Sequence, residues 1–115
     1  MEFATNKPIY RQIIDYCYAQ VLTGAWQPGS RVPSVRELAV QMAVNTHTIL
    51  KAYETLQADA VIEPRRGMGF FLCGDAREKV NEARRREFFA STIPMLRQEM
   101  ELLGITPGDL LNHLT

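Results

Sequence analysis

The chain has 115 residues, 46% of them hydrophobic and 23% charged. That is too apolar for a disordered segment and fits one compact domain with a small appendage. Its 13 basic and 13 acidic residues cancel, which excludes a uniformly cationic nucleic-acid coat and leaves only local patches to bind a polyanion.

No apolar run approaches the roughly 20 residues that span a bilayer. The opening stretch MEFATNKPIY lacks the basic and apolar regions of a secretory leader. Cys17 and Cys73 have no Cys or His partner at metal-ligand spacing. These features predict a soluble, cytoplasmic protein with no membrane partner, metal or cofactor, and two reduced cysteines that serve as small buried hydrophobes.

The first helix is expected from about Pro8 to Thr23, with Pro8 at its first position and Gly24 as its stop. Tyr10, Ile13, Ile14, Cys17 and Val21 mark its core face. The proline- and glycine-bearing stretch AWQPGSRVPS reads as a loop, from which Trp26 folds back to close the core. Ser34 and Glu37 form a capping box for a short second helix reaching about Met42, with Val35, Leu38, Ala39 and Met42 inward. A tight turn at Ala43–Val44 leads to NTHTILKAYETL, residues 45–56. There Ile49, Ala52, Tyr53 and Leu56 recur at i, i+3, i+4 and i+7, the apolar face of a third helix capped by Asn45.

Past Ala58 the pattern turns to β-branched and aromatic residues. Val61–Glu63 and Phe70–Leu72 are expected to pair as a hairpin with Arg65, Arg66 and Gly67 at its tip. Helix, helix, turn, helix, hairpin is the order of a winged helix-turn-helix. No phosphate loop, paired histidines or nucleophile elbow interrupts it, so no enzyme is expected.

From Asp75 the chain becomes charged and helical. Ala76, Val80, Ala83, Phe88, Ile93, Leu96, Met100 and Leu103 keep a rough three-to-four spacing. Pro94 should kink this helix or divide it. Thr106, Pro107 and Asp109 start a last short helix after Gly104. Arg84–Arg86, alternating with Glu78, Glu82 and Glu87, read as a salt-bridged helix face rather than a nucleic-acid patch. A tail of this length cannot bury its own stripe, nor is it expected to enclose a drug-sized pocket by itself. Part of the stripe should pack on the first helix. The rest, Phe88, Phe89, Ile93, Leu96, Met100 and Leu103, should meet a second copy across a two-fold axis.

PIYRQI, GAWQPGSRVPSVRELAVQMAVNTHTILKAYETL and VIEPRRGMGFFL together resemble the N-terminal winged-helix domain of GntR-family bacterial transcription regulators, across roughly residues 8–72. The AVN turn and the short tail resemble the YtrA-like branch, whose members carry a small helical dimerisation module. The resemblance implies DNA contacts at Arg36, at Asn45, Thr46, His47 and Thr48, and at Arg66 and Gly67. Arg31, Ser34, Lys51 and Arg65 complete the candidate set. The sequence departs from the family at Thr46 and Leu50, where many members have arginine, so base readout falls to Asn45, Thr46 and His47.

A recognition helix places its N-terminal turn in the major groove. That requirement explains polar residues before apolar ones in NTHTILKAYETL. Asn can read adenine, and a Thr methyl can meet thymine. Taken singly, Asn45 can be only a cap, His47 only a surface residue, and Arg65–Arg66 a solvated turn. Glu37, Glu54, Asp59 and Glu63 should face away from the DNA.

The fold class expected is therefore mainly α with a small β-hairpin wing: a DNA-binding winged helix-turn-helix over residues 1–74 and a helical dimerisation tail over 75–115. The function expected is a homodimeric repressor at an inverted-repeat DNA operator, with an ABC-transporter operon as the target class the resemblance implies. Its effector is unknown. A winged-helix adaptor that binds protein through the apolar tail is the alternative.

Overall fold

The computed structural model describes residues 7–115. The leader reading of MEFATNKPIY rests largely on residues 1–6, which lie outside the described residues. The elements run α1 (Ile9–Leu22), α2 (Val35–Met42), α3 (Thr46–Ala58), β1 (Ile62–Arg65), β2 (Gly69–Leu72), α4 (Ala76–Glu87), α5 (Ile93–Leu103) and α6 (Pro107–Leu114). The described residues form two compact units, which divide between Asn81 and Glu82.

In the first unit, α1 and α3 pack together and α2 leans on α3. Ile13, Ile14 and Cys17 of α1, Leu38 of α2, and Ile49, Ala52, Tyr53 and Leu56 of α3 are wholly buried. Full burial of each large apolar side chain contributes about 1.5–3 kcal/mol. Pro8 is the N-cap of α1 rather than its first helical residue. It donates no hydrogen bond there, while its carbonyl accepts from Arg11 at 3.1 Å.

The capping box of α2 forms as the sequence predicts. Ser34 Oγ accepts from the Glu37 amide at 3.0 Å, and Glu37 Oε1 accepts from the Ser34 amide at 3.2 Å. At the turn into α3, Ala43 takes a left-handed φ of 56°, a conformation that strains a residue with a Cβ. The Val44 amide closes the turn on the Ala39 carbonyl at 3.0 Å.

β1 and β2 pair antiparallel in the register Ile62↔Leu72, Glu63↔Phe71, Pro64↔Phe70 and Arg65↔Gly69. The hairpin thus extends two residues beyond the expected strand end at Glu63, taking in Pro64 and Arg65. Pro64 is tolerated because β1 lies at the edge. The other side of β2 takes residues 29–32 as a further strip: Gly29 donates to Leu72, Leu72 to Ser30 and Val32 to Phe70, at 2.8–2.9 Å. The unit runs past Gly74 into α4, where Ala76 and Val80 are fully buried. Arg77 Nη1 donates to the Leu22 carbonyl at the end of α1, at 3.0 Å.

In the second unit, a π-helical turn, Phe88–Thr92, separates α4 from α5. Pro94 stands in the first turn of α5. Proline has no amide to donate to the carbonyl four residues back, and the wider π turn shifts the hydrogen-bond register where that donor is missing. Gly104, at φ 68°, ends α5. Thr106 and Asp109 close a capping box on α6.

Candidate nucleic-acid interface

The first turn of α3 is built by its cap. Asn45 Oδ1 accepts from the His47 amide at 2.8 Å, and the Thr46 and His47 side chains are exposed. Capping engages the Asn45 oxygen, so a two-bond reading of adenine would compete with it, while the amide nitrogen remains able to donate. Thr48 is half-buried, and Ile49 behind it is wholly buried. His47, Leu50 and Glu54 follow at i, i+3 and i+7 and so share the exposed stripe of the helix. Glu54 therefore does not face away from the recognition surface as its charge suggested; it stands two turns along the same stripe. Leu50, 42% exposed, places an apolar group one turn after Thr46.

Basic residues stand on this helix and on the elements next to it. Arg36, on the first turn of α2, and Arg66, in the wing turn, are exposed and make no hydrogen bond or ion pair with another described residue. Lys51 stands with its ammonium 3.9 Å from the centre of the Tyr10 ring. A hollow of about 390 Å³ opens there, lined by Ile9, Tyr10, His47, Thr48 and Lys51. The sequence reading placed Tyr10 on the core face of α1. It is half-buried and joins the first turn of α3, a contact no local spacing could reveal.

The wing turn differs from expectation in one residue. Arg65 is the last residue of β1, not part of the tip. Its guanidinium folds back onto Glu63, at 3.2 Å, and over the Phe71 ring, 4.1 Å from the centroid. The tip is Arg66, Gly67 and Met68, closed by the Met68 amide donating to the Arg65 carbonyl at 2.9 Å. Gly67 has φ 75°, which a residue with a Cβ rarely adopts.

Arg31 is similarly engaged within the protein. Its Nη2 donates to Glu37 Oε1 at 2.9 Å, and its Nε donates to the Met68 carbonyl at 3.3 Å. Glu37 thus serves the cap and Arg31 together. Hydrogen bonds from Ser34, then the Arg31 guanidinium, hold its carboxyl below the usual carboxylate value. Ser34 itself is committed to the cap.

The tail carries the remaining candidates. Ile93, Leu96 and Met100 line a cleft of about 550 Å³ whose other wall is Ile105, Pro107, Leu110 and Leu111. The tail thus shapes an open apolar cleft rather than an enclosed pocket, because α6 folds back towards α5 after Gly104. Phe88 and Phe89 meet edge to face at 5.2 Å yet remain exposed, Phe89 by 62%, and Leu103 is 69% exposed. Neither α5 nor α6 has a buried residue. Met95 and Leu102, also exposed, sit seven residues apart on the face of α5 opposite Ile93 and Met100. The sequence reading passed over them, since it followed a single stripe.

No helix among the described residues is long and apolar enough to cross a membrane. The family described as bacterial regulatory proteins, gntR family, matches residues 9–72, the span from α1 through β2. The HTH-type transcriptional repressor YtrA of Bacillus subtilis (strain 168) is 38% identical over 80 residues, covering 70% of this chain and 62% of the relative. A GntR family transcriptional regulator from Listeria monocytogenes matches in structure with a TM-score of 0.75 and 32% identity, over 97% of this chain and 96% of that one. AraR(DBD), solved in complex with operator ORR3, matches with a TM-score of 0.57 and 29% identity, over 64% of this chain and 86% of its own. With a capped, outward-facing helix beside a hairpin wing, and with that match across both, the chain belongs to the gntR family of bacterial regulatory proteins and is a DNA-binding transcription regulator.

Proposed function

We propose that this protein is a cytoplasmic, homodimeric repressor that reads an inverted-repeat operator, each protomer laying the first turn of α3 in the major groove. The observation that carries the reading is the exposed, polar Thr46–His47 turn, with the cations Arg36 on α2 and Arg66 in the wing turn unpaired among the described residues. In this reading Thr46, His47 and Leu50 meet base edges. Ser34, Arg36, Thr48, Lys51, Arg66 and Gly67 meet the backbone, and Asn45 caps the helix and lends its amide nitrogen. The relative YtrA is named a repressor, and AraR(DBD) is seen on an operator; both favour repression at an operator here. An ABC-transporter operon is the target class that the YtrA-like resemblance implies.

Residues 1–74 form the DNA-binding part in this proposal, and residues 75–115 pair two copies. Phe88, Phe89, Met95, Leu102 and Leu103 are all exposed, and apolar side chains of this size gathered on one short segment favour a protein partner. Arg97 and Glu101 on the rim of the α5–α6 cleft are four residues apart and of opposite sign. A two-fold partner can set each against the other, as a self-complementary interface requires.

Titrating duplex DNA at several salt concentrations tests the reading. Arg36→Ala and Arg66→Ala should each flatten the salt dependence by about one phosphate contact. Leu96→Asp should convert a dimer to a monomer in light scattering and remove the gain from linking two half-sites, about 10²–10⁴ in affinity. A dimeric wild type with no affinity for any duplex would favour the adaptor reading. A monomeric wild type would refute the pairing role of the tail.

A further inference from the structure

Arg31 looks, from its charge and place, like one more phosphate contact. Its geometry gives it a second task. Two of its nitrogens are engaged by other residues of the protein, Nη2 by Glu37 Oε1 at 2.9 Å and Nε by the Met68 carbonyl at 3.3 Å. Those acceptors belong to different elements. Glu37 is fixed in the first turn of α2 by the Ser34 amide, and Met68 is the last residue of the wing turn. Arg31 itself is pinned to the sheet, since it bridges to Phe71 and its neighbour Val32 donates to Phe70. The approach is close as well: a Cβ on Gly69, which has φ 97°, would lie 3.3 Å from Arg31 Nε.

We infer that Arg31 is a positioning residue, a latch that ties the wing turn to the start of α2 and thereby sets where Arg66 stands relative to Arg36 and the first turn of α3. The idea rests on the DNA-binding reading above and adds a role to it. A three-residue turn closed by one hydrogen bond, with glycines at positions 67 and 69, is loose by itself. The Arg31–Glu37 pair is solvent-exposed, so it adds little to global stability. Its effect is on geometry: Glu37 is already held by the cap, so little further freedom is lost when Arg31 joins it. Lysine cannot replace this latch, because one ammonium on a flexible stem does not reproduce the planar fork that spans both acceptors.

The test uses the full chain and a duplex selected by the wild-type protein from random-sequence DNA. Arg31→Ala, Arg31→Lys, Arg66→Ala and Arg31→Ala/Arg66→Ala are titrated against that duplex, and the wing amides are followed by ¹⁵N relaxation without DNA. The latch predicts that Arg31→Ala and Arg31→Lys weaken binding alike, by about three- to tenfold. It predicts that the double variant binds within about twofold of Arg66→Ala alone, because a misplaced wing and a missing Arg66 lose the same contact. It also predicts that Gly67, Met68 and Gly69 become mobile on the ps–ns timescale in both Arg31 variants. Three results overturn it: Arg31→Lys binding like wild type, losses that multiply in the double variant, or wing amides unchanged by Arg31→Ala. A wild type that enriches no duplex refutes the DNA-binding reading instead, and the relaxation data still decide the latch.

Discussion

Tyr53→Phe isolates one bond that joins the core to the recognition elements. The Tyr53 side chain is wholly buried, and its hydroxyl donates to the Pro33 carbonyl at 2.6 Å. Burial keeps the phenol protonated far above its ordinary value of 10.0, so the donor is present at every working pH. Phenylalanine keeps the ring, and with it the edge-to-face contact with Phe70 at 5.3 Å, so no cavity of ring size opens. What is lost is the hydrogen bond, and the Pro33 carbonyl is left without its donor. Removing one partner of such a pair costs about 1–3 kcal/mol. Pro33 is half-buried, and partial access to water puts the cost near the lower end, about 1–2 kcal/mol. For a domain of this size that corresponds to a fall in Tm of roughly 5–10 °C. Circular dichroism melts of the two proteins at pH 7 measure it. Tyr53→Leu should cost more, because it also removes the ring pair, worth about 0.5–1.5 kcal/mol beyond burial. A Tyr53→Phe protein melting within about 2 °C of wild type would refute the assignment of this bond as a structural tie.

Burial pushes the Cys17 thiol up to about 12, so at pH 8 almost no thiolate exists and the side chain is out of reach. A chromogenic disulfide reagent should titrate only Cys73 until denaturant is added, and rapid reaction of two thiols in the native protein would contradict the packing of α1. Glu37 titrates below its ordinary 4.5 in the folded chain, so its stabilising contribution is complete above that value and is lost as pH falls through the lowered one. Glu37→Gln should therefore lower Tm at pH 7 and approach wild type as pH falls through the lowered value, below 4.5; a difference that stays constant on acidification would show that the carboxylate charge plays no part.

The three helices of the first unit were legible because each announces itself locally. Ser34 and Glu37 fix the start of α2, Asn45 caps α3, and Ile49, Ala52, Tyr53 and Leu56 repeat on one face and are all wholly buried. Pro94 likewise marked the place where α4 gives way to α5. The hairpin was legible in kind but not in extent, because Pro64 reads as a breaker in isolation and is permitted only by its edge position. Site residues have tertiary partners that spacing does not show. Charge alone put Arg31 and Arg65 with Arg66, whereas Glu37, the Met68 carbonyl, Glu63 and the Phe71 ring claim the first two. Tyr10 was hidden for the opposite reason: it obeys the core periodicity of α1 yet reaches Lys51 on another helix. In the tail, a single stripe was the natural reading of the spacing, but the fold of α6 towards α5 uses that stripe for a cleft and leaves Met95 and Leu102 exposed behind it.

Selection of binding sites from a random duplex library, with the full-length wild type and with Thr46→Ala and His47→Ala, tests the central claim most directly. The account predicts that wild type enriches an inverted repeat with half-sites about one helical turn apart, or a multiple of it. Each variant should lose base preference at symmetry-related positions, at about 1–3 kcal/mol per lost contact, while melting like wild type. Enrichment of no motif by wild type, or of one unchanged motif by all three proteins, would contradict it.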